Sequence, residues 1–319
     1  MKKIISLVAI LLLSVTILGG MTITQTASAA DVSSDKKAIL VVSFGTTYAD
    51  TRKVTTEAVE NKIQETFPDY DVRRAFTSRI IIKKLEQRDN LIFDTEKQAL
   101  DKLKAEGYTQ VIVQPLHMEA GDEYEKLVHV VESYEKSKEF SKISVGRPLL
   151  YYTGQETKPD DYLMAIKALQ TQLPIVKKDE AVALMGHGGV NPSNAAYAAL
   201  QMKIQDAGLT NVFVFTVDGY PTIDKLIKEL KANKVKKVTL MPFMLVAGDH
   251  ANNDMAGNDK ESFKSQLTAA GFQVEAYLHG LGENLAIQDI YVQHVKDTIE
   301  GKYNKKERGK DRPIIPIIE

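Results

Sequence analysis

The sequence predicts an α/β protein of two similar halves, each a parallel sheet flanked by helices, with a cleft between them. Three observations carry this. Short apolar runs rich in branched residues, such as Ala38-Ile39-Leu40-Val41-Val42 and Val238 to Met244, alternate with amphipathic helical stretches. That is the pattern of strands covered on both faces and joined by crossover helices. The chain also contains itself twice: an offset of 127 residues brings Leu103 onto Leu230, Pro115 onto Pro242 and Ala120-Gly121-Asp122 onto Ala247-Gly248-Asp249. Offsets of 143 and 141 bring Val41 to Gly45 onto Leu184 to Gly188 and Arg73 to Thr77 onto Val214 to Asp218. A repeat this long marks two α/β units, since solenoids repeat every ~20–50 residues. Third, the strands end in glycine-containing loops that carry polar groups, where an open sheet places its chemistry.

In chain order, Met1 to Ala30 has Lys2 and Lys3, an apolar run from Ile4 to Leu18 and Ala27-Ser28-Ala29, the form of a cleavable secretory signal peptide. The apolar run is shorter than the ~20 residues of a membrane span, so no stable span is expected after cleavage. A polar linker leads into the first half, residues 37–152. There the strand from Ala38 precedes a helix capped by Asp50 or Thr51 and running to Phe67. A strand over 72–76, a helix over 80–88, a helix over 94–106 ending at Gly107, a strand over 110–114, a helix over 123–136 and a strand over 143–150 follow. Tyr151 to Asp161 connects the halves. The second half, residues 160–302, opens with a helix over 162–173. It then repeats the cycle with strands over 181–185, 212–217, 238–244 and 273–277, and helices from Ser193 and over 222–232, 259–270 and 286–300. Residues 303–319, basic and then Pro-Ile rich, read as a disordered tail.

Composition narrows the function. There are 41 basic and 42 acidic residues, a formal net charge of −1, and no basic cluster in the folded part, which argues against nucleic acid as a partner. No cysteine is present, so the chain has neither disulfides nor thiol chemistry and oxidising surroundings leave it unaffected. A small-molecule ligand is the expected partner. The sequence leaves open whether the protein is a monomer or a homo-oligomer.

Six histidines carry most of the chemical information. His129 and His294 lie in helices, His129 reading as a half-buried structural or surface residue and His294 as an exposed one, and His279 follows a strand where it could line a cleft rim. His117 lies just past a strand end and reads as pocket lining. His187 and His250 each follow a strand's C-terminal end, next to glycine or closely after one, so in a parallel sheet they converge on one cleft. At the equivalent ends the first half carries Phe44, Thr77 and Glu123, and the second His187, Asp218 and His250. Two imidazoles and a carboxylate suit a divalent first-row metal. Asp218 alone equally suits a cap for the helix after Pro221. Phe44, Met185, Phe243 and Met244 are either ordinary core or the walls of a slot for a planar ligand. Arg52, Arg74 and Arg79, near strand ends, are candidates to meet ligand carboxylates.

Gly186-His187-Gly188-Gly189, Thr216-Val217-Asp218-Gly219-Tyr220-Pro221, Met241 to Met255 and Gln114-Pro115-Leu116-His117 together resemble the anaerobic sirohydrochlorin cobaltochelatases of the CbiK type, within the class II chelatases. The resemblance spans about Lys37 to Lys302. It implies two Rossmann-like halves, a tetrapyrrole cleft and a metal site of His187, His250 and an acid at Asp218, where the pattern has glutamate. It further implies insertion of Co²⁺, or of Fe²⁺ or Ni²⁺ by the same route, into sirohydrochlorin or a related tetrapyrrole. His187 and His250 would be catalytic, Phe44, His117, Glu123, Met185, Phe243 and Met244 would line the substrate site, and no organic cofactor is expected. With a signal peptide the product would be exported, periplasmic or secreted. A tetrapyrrole- or metal-binding protein without turnover, or a solute-binding protein for a transporter, are the alternatives from another class.

Overall fold

Two four-stranded sheets share one strand order. The first runs β2 (Asp71–Phe76), β1 (Lys37–Ser43), β3 (Gln110–Pro115), β4 (Lys142–Val145). The second runs β6 (Val212–Thr216), β5 (Glu180–Gly186), β7 (Lys237–Pro242), β8 (Gln273–Ala276). Every neighbouring pair is parallel. The central strands β1 and β5 are buried almost throughout, as their unbroken apolar sequences require. This is a computed structural model describing residues 35–303, so the signal peptide expected over 1–30 and all of the tail beyond Tyr303 lie outside the described residues. None of the described helices is long and apolar enough to cross a membrane.

Helices α1 (Ala49–Val54), α2 (Thr56–Thr66), α3 (Arg79–Asp89), α4 (Glu96–Ala105) and α5 (Asp122–Lys136) clothe the first sheet. In the second half follow α6 (Asp161–Gln170), α7 (Ala195–Asp206), α8 (Ile223–Ala232), α9 (Phe263–Ala269) and α10 (Leu285–Ile299). Local chemistry sets many of their starts: Ser78, Thr95, Asp160, Thr222, Ser262 and Asn284 each accept a hydrogen bond from an amide of the first turn. The helix expected from Asp50 to Phe67 is two helices, because Thr55 leaves helical geometry at φ −119°, ψ −88°. The strand expected over 143–150 stops at Val145. Leu149 and Leu150 are buried loop residues whose amides donate to the carbonyls of His117 and Met118, at 3.0 and 2.8 Å. An apolar run signals burial, and here burial comes without a strand.

The two halves share one core. Ile39, Val41 and Ile112 of the first sheet and Val182, Leu184 and Val214 of the second belong to a single apolar cluster. Helix α10, last in the chain, packs against α2 and β3 of the first half as well as α6. That placement corrects the reading of His294 as a surface residue: it is 0 % exposed, and its Nδ1 meets the Arg147 carbonyl at 3.2 Å. Around it Arg147 donates through Nε to Asp161 at 3.0 Å and through Nη1 to Asp297 at 2.9 Å. This buried ionic joint ties the β4 exit to α6 and α10.

Candidate functional site

In the second sheet β5 lies between β6 and β7, with Gly186 beside Thr216 and Met185 beside Pro242. The chain leaves β5 for β6 on one side, while β7 lies on the other. A crevice therefore opens above the β5 and β7 ends. His187 leaves β5 and His250 closes the loop after β7, and their rings meet edge to face with centroids 4.7 Å apart.

Both rings are oriented alike. His187 Nδ1 is 2.9 Å from the Gly188 carbonyl and His250 Nδ1 is 2.6 Å from Asp254 Oδ2. Those acceptors cannot donate, so Nδ1 carries the proton in each ring and Nε2 keeps its lone pair for a metal. Asp254, one helical turn beyond His250, went unassigned in the sequence reading, although its i, i+4 spacing is the available signal. It sits in a π-helical segment, Ala251–Met255, a form frequent at functional sites.

The loop under His187 depends on glycine at one place in particular. Gly188 has φ +74°, and a Cβ there would lie 2.7 Å from the Thr216 Cβ and 2.9 Å from the Gly219 amide. Asn194 pins this loop to its neighbour, its Oδ1 accepting from the Gly189 amide at 3.2 Å while Nδ2 donates to the Tyr220 carbonyl at 2.8 Å. Nothing in the sequence distinguished Asn194 from an ordinary helix-start residue.

Asp218 stands apart from the two rings. Its side chain is exposed, and its tie to His187 runs through the backbone, the Asp218 amide donating to the His187 carbonyl at 2.9 Å. Among the described residues no three His, Cys, Asp or Glu side chains gather closely enough to hold an ion. The structure thus brings together two of the three expected ligands.

The expected substrate residues divide. Phe44, 48 % exposed, and Glu123 line a cavity of about 340 Å³ with Thr77, Ser78, Arg79 and Lys126. Met244 is partly buried against the second-half core. Met185 and Phe243 are 0 % exposed, which corrects their reading as slot walls: each packs inside the core and offers a ligand no surface. Both ring nitrogens of His117 are buried without a hydrogen-bond partner among the described residues, and burial lowers its pKa to about 4 against the opposing pull of Glu123 and Glu96. His117 is therefore a neutral ring beneath the first-half strand ends. Arg52 and Arg74 are occupied by Glu57 and Glu60, leaving Arg79, itself paired with Glu96, as the arginine that lines the cavity.

Across the crevice the halves touch at polar points. Tyr48 Oη donates to Asp249 Oδ1 at 3.4 Å, and Asn191 Nδ2 donates to Asp122 Oδ1 at 2.7 Å. Glu119, from the loop after β3, is half-buried and accepts from the Gly121 amide and the Ser193 hydroxyl. Burial raises its pKa, while those two hydrogen bonds and His187 pull the other way.

Paired doubly wound halves with two imidazoles on a shared crevice define a metal chelatase. The chain belongs to the cobalt chelatase (CbiK) family, whose pattern matches residues 37–300. It is 44 % identical over 264 residues to the sirohydrochlorin cobaltochelatase of Salmonella typhimurium, covering 83 % of this chain and 97 % of that protein. It is 37 % identical over 261 residues to the sirohydrochlorin cobaltochelatase CbiKC of Nitratidesulfovibrio vulgaris, covering 82 % of this chain and 89 % of that protein. The SirB chelatase of Bacillus subtilis, solved with Fe³⁺, shares the fold at TM-score 0.55 and 18 % identity, over 84 % of this chain and 99 % of that one.

Proposed function

We propose that this enzyme inserts Co²⁺ into sirohydrochlorin, the substrate named for both curated relatives, and that it does so outside the cytoplasm. The observation that carries the chemistry is the His187–His250 pair, each Nδ1 engaged and each Nε2 without a hydrogen-bond partner among the described residues. Insertion exchanges one divalent ion for two pyrrole protons, so the site must hold the ion and then take up protons. Neutral imidazoles do both in turn: Nε2 binds the ion, passes it to the ring nitrogens and accepts a proton as the ion departs. Asp254 holds the His250 ring in the tautomer that leaves Nε2 for the ion. Glu123, in the cavity on the facing half, is the acceptor for the second proton, and the exposed Asp218 would reach the ion only through a bridging water. Fe²⁺ and Ni²⁺ would follow the same route. Export rests on the residues of 1–30, and a mature N-terminus near Ala30 in the extracytoplasmic fraction would establish it.

The test is an insertion assay followed by absorbance, with sirohydrochlorin and Co²⁺, comparing the mature wild type with His187→Ala and His250→Ala. Each variant should lose about 10²–10⁴-fold in rate, the range of a positioned acid–base group. Tight binding of the tetrapyrrole with no acceleration by wild type would instead make this an exported binding protein on a chelatase scaffold, a reading that the exposed, unjoined Asp218 favours.

A further inference from the structure

We propose that the tetrapyrrole enters the crevice at the edge where Tyr48 meets Asp249, with that pair as its gate, while the opposite edge, where Asn191 meets Asp122, stays closed. The inference rests on the reading of the crevice as the tetrapyrrole site. Its ground is a symmetry between the two contacts. The offset of 143 residues that lays Val41 to Gly45 on Leu184 to Gly188 also lays Tyr48 on Asn191, and the offset of 127 lays Asp122 on Asp249. Each contact therefore joins the segment after the first strand of one half to the segment after the third strand of the other. Such reciprocal pairing is the mark of two units related by a two-fold axis, which sets the two contacts on opposite sides of the crevice.

The two edges are closed to different degrees. On one, Asn191 Nδ2 donates to Asp122 Oδ1 at 2.7 Å and lies 3.4 Å from Glu125 Oε2, while Asn191 Oδ1 holds the Ser193 amide at 2.8 Å. The Ser193 hydroxyl adds a further cross-crevice hydrogen bond, to Glu119. The loops are pressed together there, since a Cβ added at Gly121 would lie 3.0 Å from Ser193 Oγ. On the other edge Tyr48 and Asp249 are exposed, and their 3.4 Å contact is the one hydrogen bond between these two loops among the described residues. Bonds between hydroxyl and oxygen mostly run ~2.5–3.0 Å, so this one is weak. At Gly248, the repeat mate of Gly121, an added Cβ would meet nothing nearer than Thr46 Oγ1 at 3.6 Å. Phe44 and Tyr48 expose their rings on this looser loop, apolar surface that a flat macrocycle meets on entering. Asp249 directly precedes His250, so the mouth opens beside one of the two paired rings.

The chain has no cysteine, so Tyr48→Cys with Asp249→Cys, or Asn191→Cys with Asp122→Cys, introduces the only two thiols, which a short bismaleimide then joins. Binding of sirohydrochlorin to the full mature protein, without Co²⁺, is followed by absorbance in stopped flow before and after joining, with the joined product checked by mass. Joining the Tyr48 edge should slow association at least about tenfold, whereas joining the Asn191 edge should leave it within about threefold. Tyr48→Phe, which removes only the hydrogen bond, should speed association and dissociation together by about two- to fivefold and leave Co²⁺ affinity as in wild type. Association that joining the Tyr48 edge does not slow, that the Asn191 edge slows as much or more, or that Tyr48→Phe leaves unchanged overturns the gate. Failure of the reagent to join either pair overturns it as well, because the side chains are then too far apart for the contacts. Wild type that binds no sirohydrochlorin at all fails the reading of the crevice itself, and that failure is seen before any variant is made.

Discussion

Two clusters in this molecule contain histidine beside aspartate, and they serve opposite ends. At the joint between the halves, His294, Asp161, Arg147 and Asp297 are almost wholly enclosed. Arg147 reaches both aspartates at about hydrogen-bond length, and the backbone amide of Tyr152 adds a donor to Asp161 at 2.9 Å. At the crevice, His187 is exposed, His250 has a 38 % exposed side chain, and each ring has one nitrogen engaged and one without a partner among the described residues. The residue types are nearly the same. Spare coordination next to open space makes a site, and closed coordination in a dry interior makes a fastener.

The largest effect expected from this contrast is on stability. Arg147→Met leaves Asp161 and Asp297 buried without their cation, which typically costs about 3–5 kcal/mol when one partner of a buried pair is removed. Denaturant unfolding should show that loss, while Co²⁺ affinity per folded molecule stays unchanged. Equal stability in Arg147→Met would mean that the joint is dispensable, and a fall in Co²⁺ affinity would mean that the two clusters are not independent.

The same contrast marks what was legible in the sequence. The doubled architecture was, because strands covered on both faces must be apolar throughout, and a repeat with Pro115 over Pro242 and Gly121 over Gly248 fixes equivalent loops. His187 and His250 were legible from their place after strand ends, next to glycine or closely after one. His294 was misread because its own helix shows neither the Arg147 carbonyl nor the Asp161 side chain it meets, and both come from segments more than 130 residues away. Met185 and Phe243 were misread for a related reason: a side chain at a strand end faces either the cleft or the core, and the packing of a neighbouring layer decides which. Glu119 and Asn194 carry no local pattern at all, since each matters through a residue in another loop.

A middle-sized effect separates the open cluster from its support. Asp254→Asn keeps an oxygen able to accept from His250 Nδ1 but replaces the charged acceptor with a neutral amide, which holds the ring and its tautomer less firmly. Loss of such a partner typically lowers metal affinity or activity by about 10–100-fold. Insertion rate and Co²⁺ affinity should fall by that factor with stability little altered. If stability fell instead, Asp254 would belong with the fasteners.

The smallest effect concerns the third strand end. Asp218 is one methylene shorter than the glutamate of the resembled pattern, which sets its carboxylate back by roughly one C–C bond, ~1.5 Å. Metal–ligand distances hold to within ~0.2 Å, so an acid displaced that far reaches an ion through water or not at all. Asp218→Glu restores the length at an exposed position, where substitutions usually shift stability by no more than ~0.5 kcal/mol. If the acid belongs to the ion's surroundings, this variant should bind Co²⁺ up to about tenfold more tightly, by ~1.4 kcal/mol, and the cobalt spectrum should move as an oxygen ligand replaces water. An unchanged affinity and spectrum would remove the Asp218 position from the metal site. The open cluster would then consist of two imidazoles with Asp254 behind one of them, and the acid of this site would have to come from the facing half.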